Sequence, residues 1–180
     1  MKTMKALLFA VFLLLAVAVS VGQTRMDFMA GTSIPAHSTT MALFSGLEIG
    51  GQIFFQPTDG DVGFVAGSTF SIYNTTKLES PVVFMAKPHF GLEGEWLITS
   101  RYNMRFGGQM ETGAMYLQYS SGLDRNRSWS MLLTGGLHLL FDEHYLFGGG
   151  FTFSEPFLSL QPGLVQTRFV LWNCYFGYRL

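Results

Sequence analysis

The residues that could carry chemistry in this sequence are charged side chains at alternate positions of otherwise apolar segments. Within Val82–Ile98, Lys87 and His89 are two residues apart, and so are Glu93 and Glu95. Alternate residues of a β-strand face the same side of a sheet, so this spacing collects the charges on one face. Such a face can form an ion-pair network, a polar pathway or a catalytic carboxylate pair. The candidate residues are Asp27, Glu48, Lys87, Glu93, Glu95, Arg105, Glu111 and Arg179.

A metal site is the second chemistry that the sequence suggests. His138, Asp142 and His144 share the parity of one strand face. Same-face neighbours on a strand are about 6.6 Å apart, so Asp142 and His144 could converge only through turn geometry. Zinc sites use three or four protein ligands, and a turn with incidental histidines explains the pattern better. We therefore predict no metal and no cofactor.

The elements that must position these residues are eight predicted strands, each with one apolar face. Alternation of apolar and polar residues is the signature of a strand that is half buried in an apolar environment. Connections rich in Gly, Pro, Asp, Asn or Ser separate the segments. The predicted strands are Arg25–Ser33, Met41–Phe55, Val62–Tyr73, Val82–Ile98, Met104–Tyr119, Trp129–Phe141, Tyr145–Ser154 and Phe169–Leu180.

The last segment, Phe169–Leu180, shows why the sheet should close. Its even positions are all apolar or aromatic, and its later odd positions are Asn173, Tyr175, Gly177 and Arg179. An unpaired terminal strand with so apolar a face would aggregate in water. With an even number of strands, the last can pair antiparallel with the first, and the apolar face can contact lipid. The sequence therefore predicts an all-β, eight-stranded, antiparallel, up-and-down transmembrane β-barrel.

The composition agrees with a membrane barrel. Only 13% of the 180 residues are charged, whereas 16% are aromatic and 21 are glycine; an ordinary soluble domain has about 25% charged residues. A soluble lipocalin-like barrel is the main alternative, but its outer face should be rich in Lys and Glu. The less apolar face here is mostly Gly, Ser and Thr. There is no basic patch, so no nucleic-acid partner is expected, and Cys174 alone cannot form an internal disulfide.

The first 22 residues predict a cleaved signal peptide. Lys2 and Lys5 form a basic start, an apolar run follows from Ala6 to Val21, and Ser20 and Gly22 suit a cut before Gln23. The alternative is an uncleaved anchor, although the run is short for a bilayer span. The predicted organisation is a signal peptide over 1–22 and a barrel over 23–180.

Pro88 interrupts the pattern of the fourth strand. Proline lacks the N–H that a sheet ladder requires, and a closed barrel has no free edge at which to place it. We expect a β-bulge at Pro88 or a wrong strand boundary.

The chain resembles the small eight-stranded outer-membrane proteins of the OmpA, OmpX and OmpW type. The resemblance covers the mature chain and is one of pattern: a signal peptide, eight alternating segments and an aromatic last strand. It implies a monomer in the bacterial outer membrane, with membrane lipid and the barrel-assembly machinery as partners. Proteins of this group usually end on an aromatic residue that the machinery recognises. The resemblance therefore implies that the assembly signal here consists of the alternating residues Trp172, Phe176, Tyr178 and Leu180. The final residue, Leu180, departs from the usual Phe.

Two lipid A-modifying enzymes share this fold, a deacylase and a palmitoyltransferase, but the sequence does not resemble either. The deacylase family has a Ser two residues after its catalytic His. The four histidines here are followed at that spacing by Thr39, Gly91, Leu140 and Leu146. The palmitoyltransferase begins with an amphipathic helix, for which the predicted mature start leaves no room. We therefore predict a protein that is not an enzyme.

The predicted function is that of a structural barrel that acts through its surface loops, with a host or environmental ligand, and through membrane integrity. The alternative is a narrow OmpW-like channel for small or hydrophobic solutes. We expect ion pairs between Glu95 and Arg105 and between Asp27 and Arg179 to close the lumen. The four connections expected to face outside are near Ile34–Thr40, Asn74–Pro81, Ser120–Ser128 and Glu155–Gly163.

Overall fold

The chain forms a closed antiparallel barrel in which every strand pairs with its neighbours in sequence and β1 pairs with β8. The computed structural model describes residues 22–38, 43–57, 61–75, 82–121, 124–159 and 168–180. No helix able to cross a membrane occurs within these ranges. The strands are β1 Gly22–Ser38, β2 Gly46–Pro57, β3 Val62–Asn74, β4 Val82–Thr99, β5 Met104–Ser121, β6 Asp124–Phe141, β7 Tyr145–Ser159 and β8 Phe169–Arg179.

The predicted fold class is confirmed, and the main differences lie at the strand ends. Strands β1, β6 and β7 extend well into the connections predicted near Ile34–Thr40, Ser120–Ser128 and Glu155–Gly163. Backbone pairing continues there because two long neighbouring strands can keep their ladder beyond the apolar belt. Strand β2 begins at Gly46 rather than Met41, although Leu43 still forms a single bridge with Thr75. The predicted signal peptide lies outside the described residues, apart from Gly22.

The prediction of a bulge or boundary at Pro88 is wrong. Strand β4 runs continuously from Val82 to Thr99. Pairing with β5 is interrupted at Lys87 and Pro88, yet Ala86↔Tyr116 and His89↔Gly113 keep one register across the gap. Pro88 also pairs with Ser68 of β3. The neighbours on both sides therefore hold the strand in place, and the bulge of β4 lies instead between Leu97 and Thr99.

The exterior of the barrel is apolar over its whole circumference. Large hydrophobic side chains on every strand are 37% to 76% exposed, with Leu47 at the upper limit. Water would make this surface an aggregation site, whereas hydrocarbon solvates it. The outward set includes Phe28, Ile49, Phe64, Phe90, Met110, Leu137, Phe147 and Trp172.

The interior contains two different fillings, which we name by the ends of the barrel. The turn end is the end at Ser100–Asn103 and Asp142–His144, and the loop end is the opposite one. The turn end is filled by charged side chains, as expected. The loop end is filled by apolar ones, which the sequence analysis did not predict. This apolar cluster consists of Tyr73, Val83, Met85, Met115, Leu117, Leu132, Phe169 and Leu171.

Candidate functional site: the barrel interior

At the turn end, β1, β4, β6 and β8 bring six titratable side chains together across the lumen. We call this group the ion network, and its members are Arg25, Asp27, Glu93, Glu95, His138 and Arg179. Each lies on the inward parity of its strand. Gly107 of the neighbouring strand β5 leaves room for the ring of His138.

Arg179 is the centre of the ion network. Its Nε and Nη2 atoms donate to the two carboxylate oxygens of Asp27 at 2.7 and 2.9 Å. Its Nη1 atom is 2.7 Å from Glu95 Oε1. The β1–β8 register places Asp27 opposite Arg179, so closure of the barrel creates this fork-like contact. Paired hydrogen bonds of this kind combine charge attraction with a fixed orientation.

Arg25 joins the same carboxylates from the other side. Its Nη2 atom is 2.7 Å from Glu93 Oε1 and 2.9 Å from Glu95 Oε1. The guanidinium also lies over the ring of Phe54, 3.6 Å from its centroid, a favourable position for a cation on an aromatic face. The ion network therefore holds two guanidinium groups against three carboxylates.

Two members of the ion network, Arg25 and His138, were not among the candidate lumen residues predicted from the sequence, which named His138 only as a possible metal ligand. His138 lies beside Glu95. Its Nε2 atom is 3.2 Å from Glu95 Oε1, and its ring lies over Gly107 of β5, where a Cβ atom would come within 2.2 Å of it. The available signal was its inward parity beside a glycine on the paired strand. Asp142 and His144, which share its parity, are exposed in the following turn, so these three residues do not form a common site.

The predicted pair between Glu95 and Arg105 is wrong. The register does place Arg105 diagonally from Glu95, since Glu95 pairs with Gly107. However, Glu95 contacts Arg25, Arg179 and His138, and Arg105 forms no ion pair within the described ranges. In a barrel this narrow, side chains from across the lumen reach Glu95 and compete with those of the adjacent strand.

Above the ion network, the middle of the lumen holds three more of the predicted charges, Glu48, Lys87 and Glu111. Lys87 Nζ is 2.5 Å from Glu48 Oε2, which also accepts a 2.9 Å hydrogen bond from Ser71. His89 and Glu111 face each other with 3.6 Å between Nε2 and Oε1. These four charged or titratable residues line a cavity of about 50 Å³. Such a volume holds a few water molecules.

The apolar cluster closes the lumen on the other side of this cavity. Tyr73, Val83, Met85, Met115 and Leu171 have no exposed surface. The phenol of Tyr73 donates to Ser33 Oγ at 2.7 Å, which satisfies the one polar atom of that ring. Its ring also occupies the space above Gly46, where a Cβ atom would come within 2.6 Å.

Two inward serine hydroxyls already have hydrogen-bond partners. The inward hydroxyl of Ser33 contacts Tyr73 and Asn173, and that of Ser71 contacts Glu48. Neither therefore pairs with a histidine base. A metal-like grouping exists at Glu93, Glu95 and His138, whose ligand atoms lie within 4.8 Å of one another, but Arg25 and Arg179 already neutralise these carboxylates.

Comparison with known proteins reveals the fold but no sequence family. No protein-family model matches the chain, and no curated protein does. Among solved structures, Neisserial surface protein A aligns with a TM-score of 0.61 at 11% identity, over 87% of this chain and 96% of that one. The barrel domain of Pseudomonas aeruginosa OprF gives 0.52 at 11% identity, over 88% and 99%. The attachment invasion locus protein Ail of Yersinia pestis gives 0.50 at 12%, over 89% and 99%.

The fold is that of the small eight-stranded outer-membrane barrels. The predicted resemblance is confirmed at this level, and the apolar exterior is the surface that such a barrel turns to lipid. Of the predicted assembly-signal residues, Trp172, Phe176, Tyr178 and Leu180 all point outward and are 42% to 69% exposed. They share this face with the apolar belt of the rest of the barrel.

Proposed function

We propose that the protein is a non-enzymatic, integral outer-membrane barrel with a closed lumen, which acts through its surface loops and through membrane integrity. The observation that carries this proposal is the double closure of the interior. The ion network fills the turn end, the apolar cluster fills the loop end, and the cavity between them measures about 50 Å³.

The proposed orientation places the turn end in the periplasm and the loop end outside the cell. An even strand count puts both chain ends at the turn end, and a barrel exported across the inner membrane keeps its termini in the periplasm. The apolar cluster would then seal the barrel against the external medium. The described strands end close to the four longer connections, which would carry contacts with a host or environmental ligand. The names of Neisserial surface protein A and the attachment invasion protein Ail are in keeping with such a surface role.

Conductance tests the closed lumen. Purified protein, refolded into a planar lipid bilayer and shown to be folded by heat-modifiable migration, should give no current steps. A variant with Phe169→Ala and Leu171→Ala, which removes two large members of the apolar cluster, shows whether loss of packing opens a path. Steady current through the unaltered protein would overturn the proposal.

Surface labelling tests the orientation. In a Cys174→Ser background, a cysteine introduced by Asp124→Cys should react with a membrane-impermeant thiol reagent on intact cells. A cysteine introduced by Glu143→Cys, in the turn after β6, is the matched control and should react only after the outer membrane is permeabilised. The reverse pattern would contradict the proposed orientation.

The alternative function is a narrow passage for small or hydrophobic solutes through the barrel wall. The interrupted pairing of Lys87 and Pro88 with β5 favours it. Uptake of an apolar dye by proteoliposomes measures this activity, and Pro88→Ala, which can restore the ladder, should abolish it. Uptake that is equal with and without the protein would leave the closed barrel as the function.

The outward aromatics of β8 are the proposed recognition signal for the barrel-assembly machinery. Phe176→Ala with Tyr178→Ala should lower the amount of folded protein in cells while leaving refolding from urea into detergent nearly unchanged. Phe151→Ala, an outward aromatic on β7, is the control. Equal loss in cells from both sets of changes would contradict a specific signal.

A further inference from the structure

His89 and Glu111 form a second buried histidine–carboxylate pair, and it lacks the partners that the ion network has. Their exposed fractions are 9% and 3%. The closest atoms, His89 Nε2 and Glu111 Oε1, are 3.6 Å apart, beyond hydrogen-bond distance. Neither atom has a hydrogen-bond partner. A buried carboxylate in this condition is costly unless a proton, water or a cation approaches it.

The other ring nitrogen of His89 determines what Nε2 can do. His89 Nδ1 is 2.9 Å from the backbone carbonyl oxygen of Lys87. A carbonyl oxygen only accepts hydrogen bonds, so Nδ1 carries the proton, and Nε2 of the neutral ring presents a lone pair. The nearest carboxyl oxygen of Glu111 is 3.6 Å from this nitrogen. Histidines that bind metals are commonly held in this way, by donation from the second nitrogen to a backbone carbonyl.

Two glutamines line the same cavity. His89 and Glu111 line the cavity of about 50 Å³ together with Gln52 and Gln109. The side-chain oxygens of both glutamines are buried without a hydrogen-bond partner. Lys87 also lines the cavity, but Glu48 neutralises it at 2.5 Å. Among the residues that the structure describes, Glu111 therefore has no ion-pair partner other than His89.

We propose that this cavity binds one divalent transition-metal ion such as Zn²⁺. His89 Nε2 and the Glu111 carboxylate are the protein ligands, and the side-chain oxygen of Gln109 or Gln52 and water complete the coordination. Imidazole and carboxylate suit zinc. Two atoms that each lie about 2.0–2.2 Å from one ion are at most about 4.4 Å apart, and the 3.6 Å separation meets that limit.

The ion network provides an internal contrast. It also contains a histidine and two carboxylates with their ligand atoms within 4.8 Å. There, Arg25 and Arg179 donate to Glu93 and Glu95, so positive charge already occupies the positions that a metal would take. His138→Gln is therefore the matched control for His89→Gln: each change removes one buried imidazole, and only His89 is a proposed ligand.

Metal uptake by the refolded barrel tests the proposal. The background is Cys174→Ser with His144→Gln, because both residues are exposed and could bind metal adventitiously. Equilibrium dialysis in detergent should show one Zn²⁺ per chain, and Co²⁺ should give a visible spectrum without a thiolate band. His89→Gln and Glu111→Gln should each weaken uptake by about tenfold or more, whereas His138→Gln should retain it.

Two outcomes would overturn the site: no uptake by the background protein, or uptake that survives in the His89→Gln, Glu111→Gln double variant. Heat-modifiable migration shows whether each variant is folded. If the variants do not fold, the proposal is tested on the background protein alone, through its unfolding temperature. Its unfolding temperature should rise with added Zn²⁺ and fall again with a chelator, because a ligand that binds only the folded state stabilises it. An unchanged unfolding temperature would contradict the proposal.

Discussion

The turn half of the lumen is filled with ions and the loop half with apolar side chains, although the same eight strands enclose both. In the turn half, one side chain, that of Arg179, contacts all three carboxylates of Asp27, Glu93 and Glu95. In the loop half, the members of the apolar cluster touch one another and need no particular partner. Both halves exclude solvent, since Glu93 and Met85 are 1% and 0% exposed.

The difference teaches that one barrel can close its interior by two mechanisms, and that different kinds of substitution disrupt each of them. An ion network depends on partner identity, because removing one charge leaves its counter-charge buried. An apolar cluster depends on volume and tolerates exchange between side chains of similar size. Each prediction below changes one half and uses the other half, or a neighbouring position, as its reference.

The largest effect should come from Arg179→Gln. It leaves three buried carboxylates with Arg25 as their one guanidinium partner in the ion network, and breaking a buried ion pair from one side costs about 3–5 kcal/mol. A urea titration of folding into lipid vesicles measures the loss. Arg168→Gln is the control: its partner Glu155 is 2.7 Å away, but the side chains are 61% and 44% exposed. An exposed pair contributes about 1 kcal/mol or less, so equal losses at both sites would refute the buried network.

The stability of the loop half should fall when a side chain of the apolar cluster is shortened, but not when it is replaced by another apolar side chain of similar volume. Leu171→Ala opens a cavity in the apolar cluster and should cost about 3 kcal/mol in the same titration. Leu117→Met keeps the volume and should cost less than about 1.5 kcal/mol. If Leu117→Met proves as harmful as Leu171→Ala, the cluster depends on shape more strictly than we propose.

Two adjacent glycines on β5 allow the inner and the outer surface of the barrel to be tested separately. Gly107→Ala would place a Cβ atom 2.2 Å from His138 Nε2. The ring would have to leave Glu95, and overpacking of this kind costs about 1–3 kcal/mol. Gly108→Ala points outward, where the nearest atom is 3.4 Å away, so it should be nearly neutral. Comparable losses at the two positions would show that backbone effects, rather than the ion network, limit these sites.

The smallest expected effect is the coupling free energy between two substitutions in a double-mutant cycle. Asp27→Asn and Arg179→Gln should be non-additive by about 0.5–3 kcal/mol, since the residues share two hydrogen bonds. Glu95→Gln and Arg105→Gln should be additive within about 0.5 kcal/mol, because these side chains form no ion pair with each other. Strong coupling between Glu95 and Arg105 would restore the pairing that we first predicted from the sequence.

Strand number, strand order and the lipid-facing side were predictable from the sequence because they depend on local alternation. Side chains two residues apart must share a face, so the outward positions of β4 and β8 follow from parity alone. The register of β4 with β5 also depends on a short local turn, and it places Glu93 opposite Gln109. The contact between Asp27 and Arg179 could be predicted because closure brings the first and last strands together.

Only the tertiary structure decided which charges meet across the lumen and where the filling changes from ions to apolar side chains. Arg25 reaches Glu93 and Glu95 over separations of 68 and 70 residues, through the curvature of the closed sheet. That curvature brings non-adjacent strands within side-chain reach, so Glu95 meets Arg25, Arg179 and His138 instead of Arg105. Parity assigns a residue to the inside but not to a height or a partner. Those are set by the stagger of all eight strands at closure.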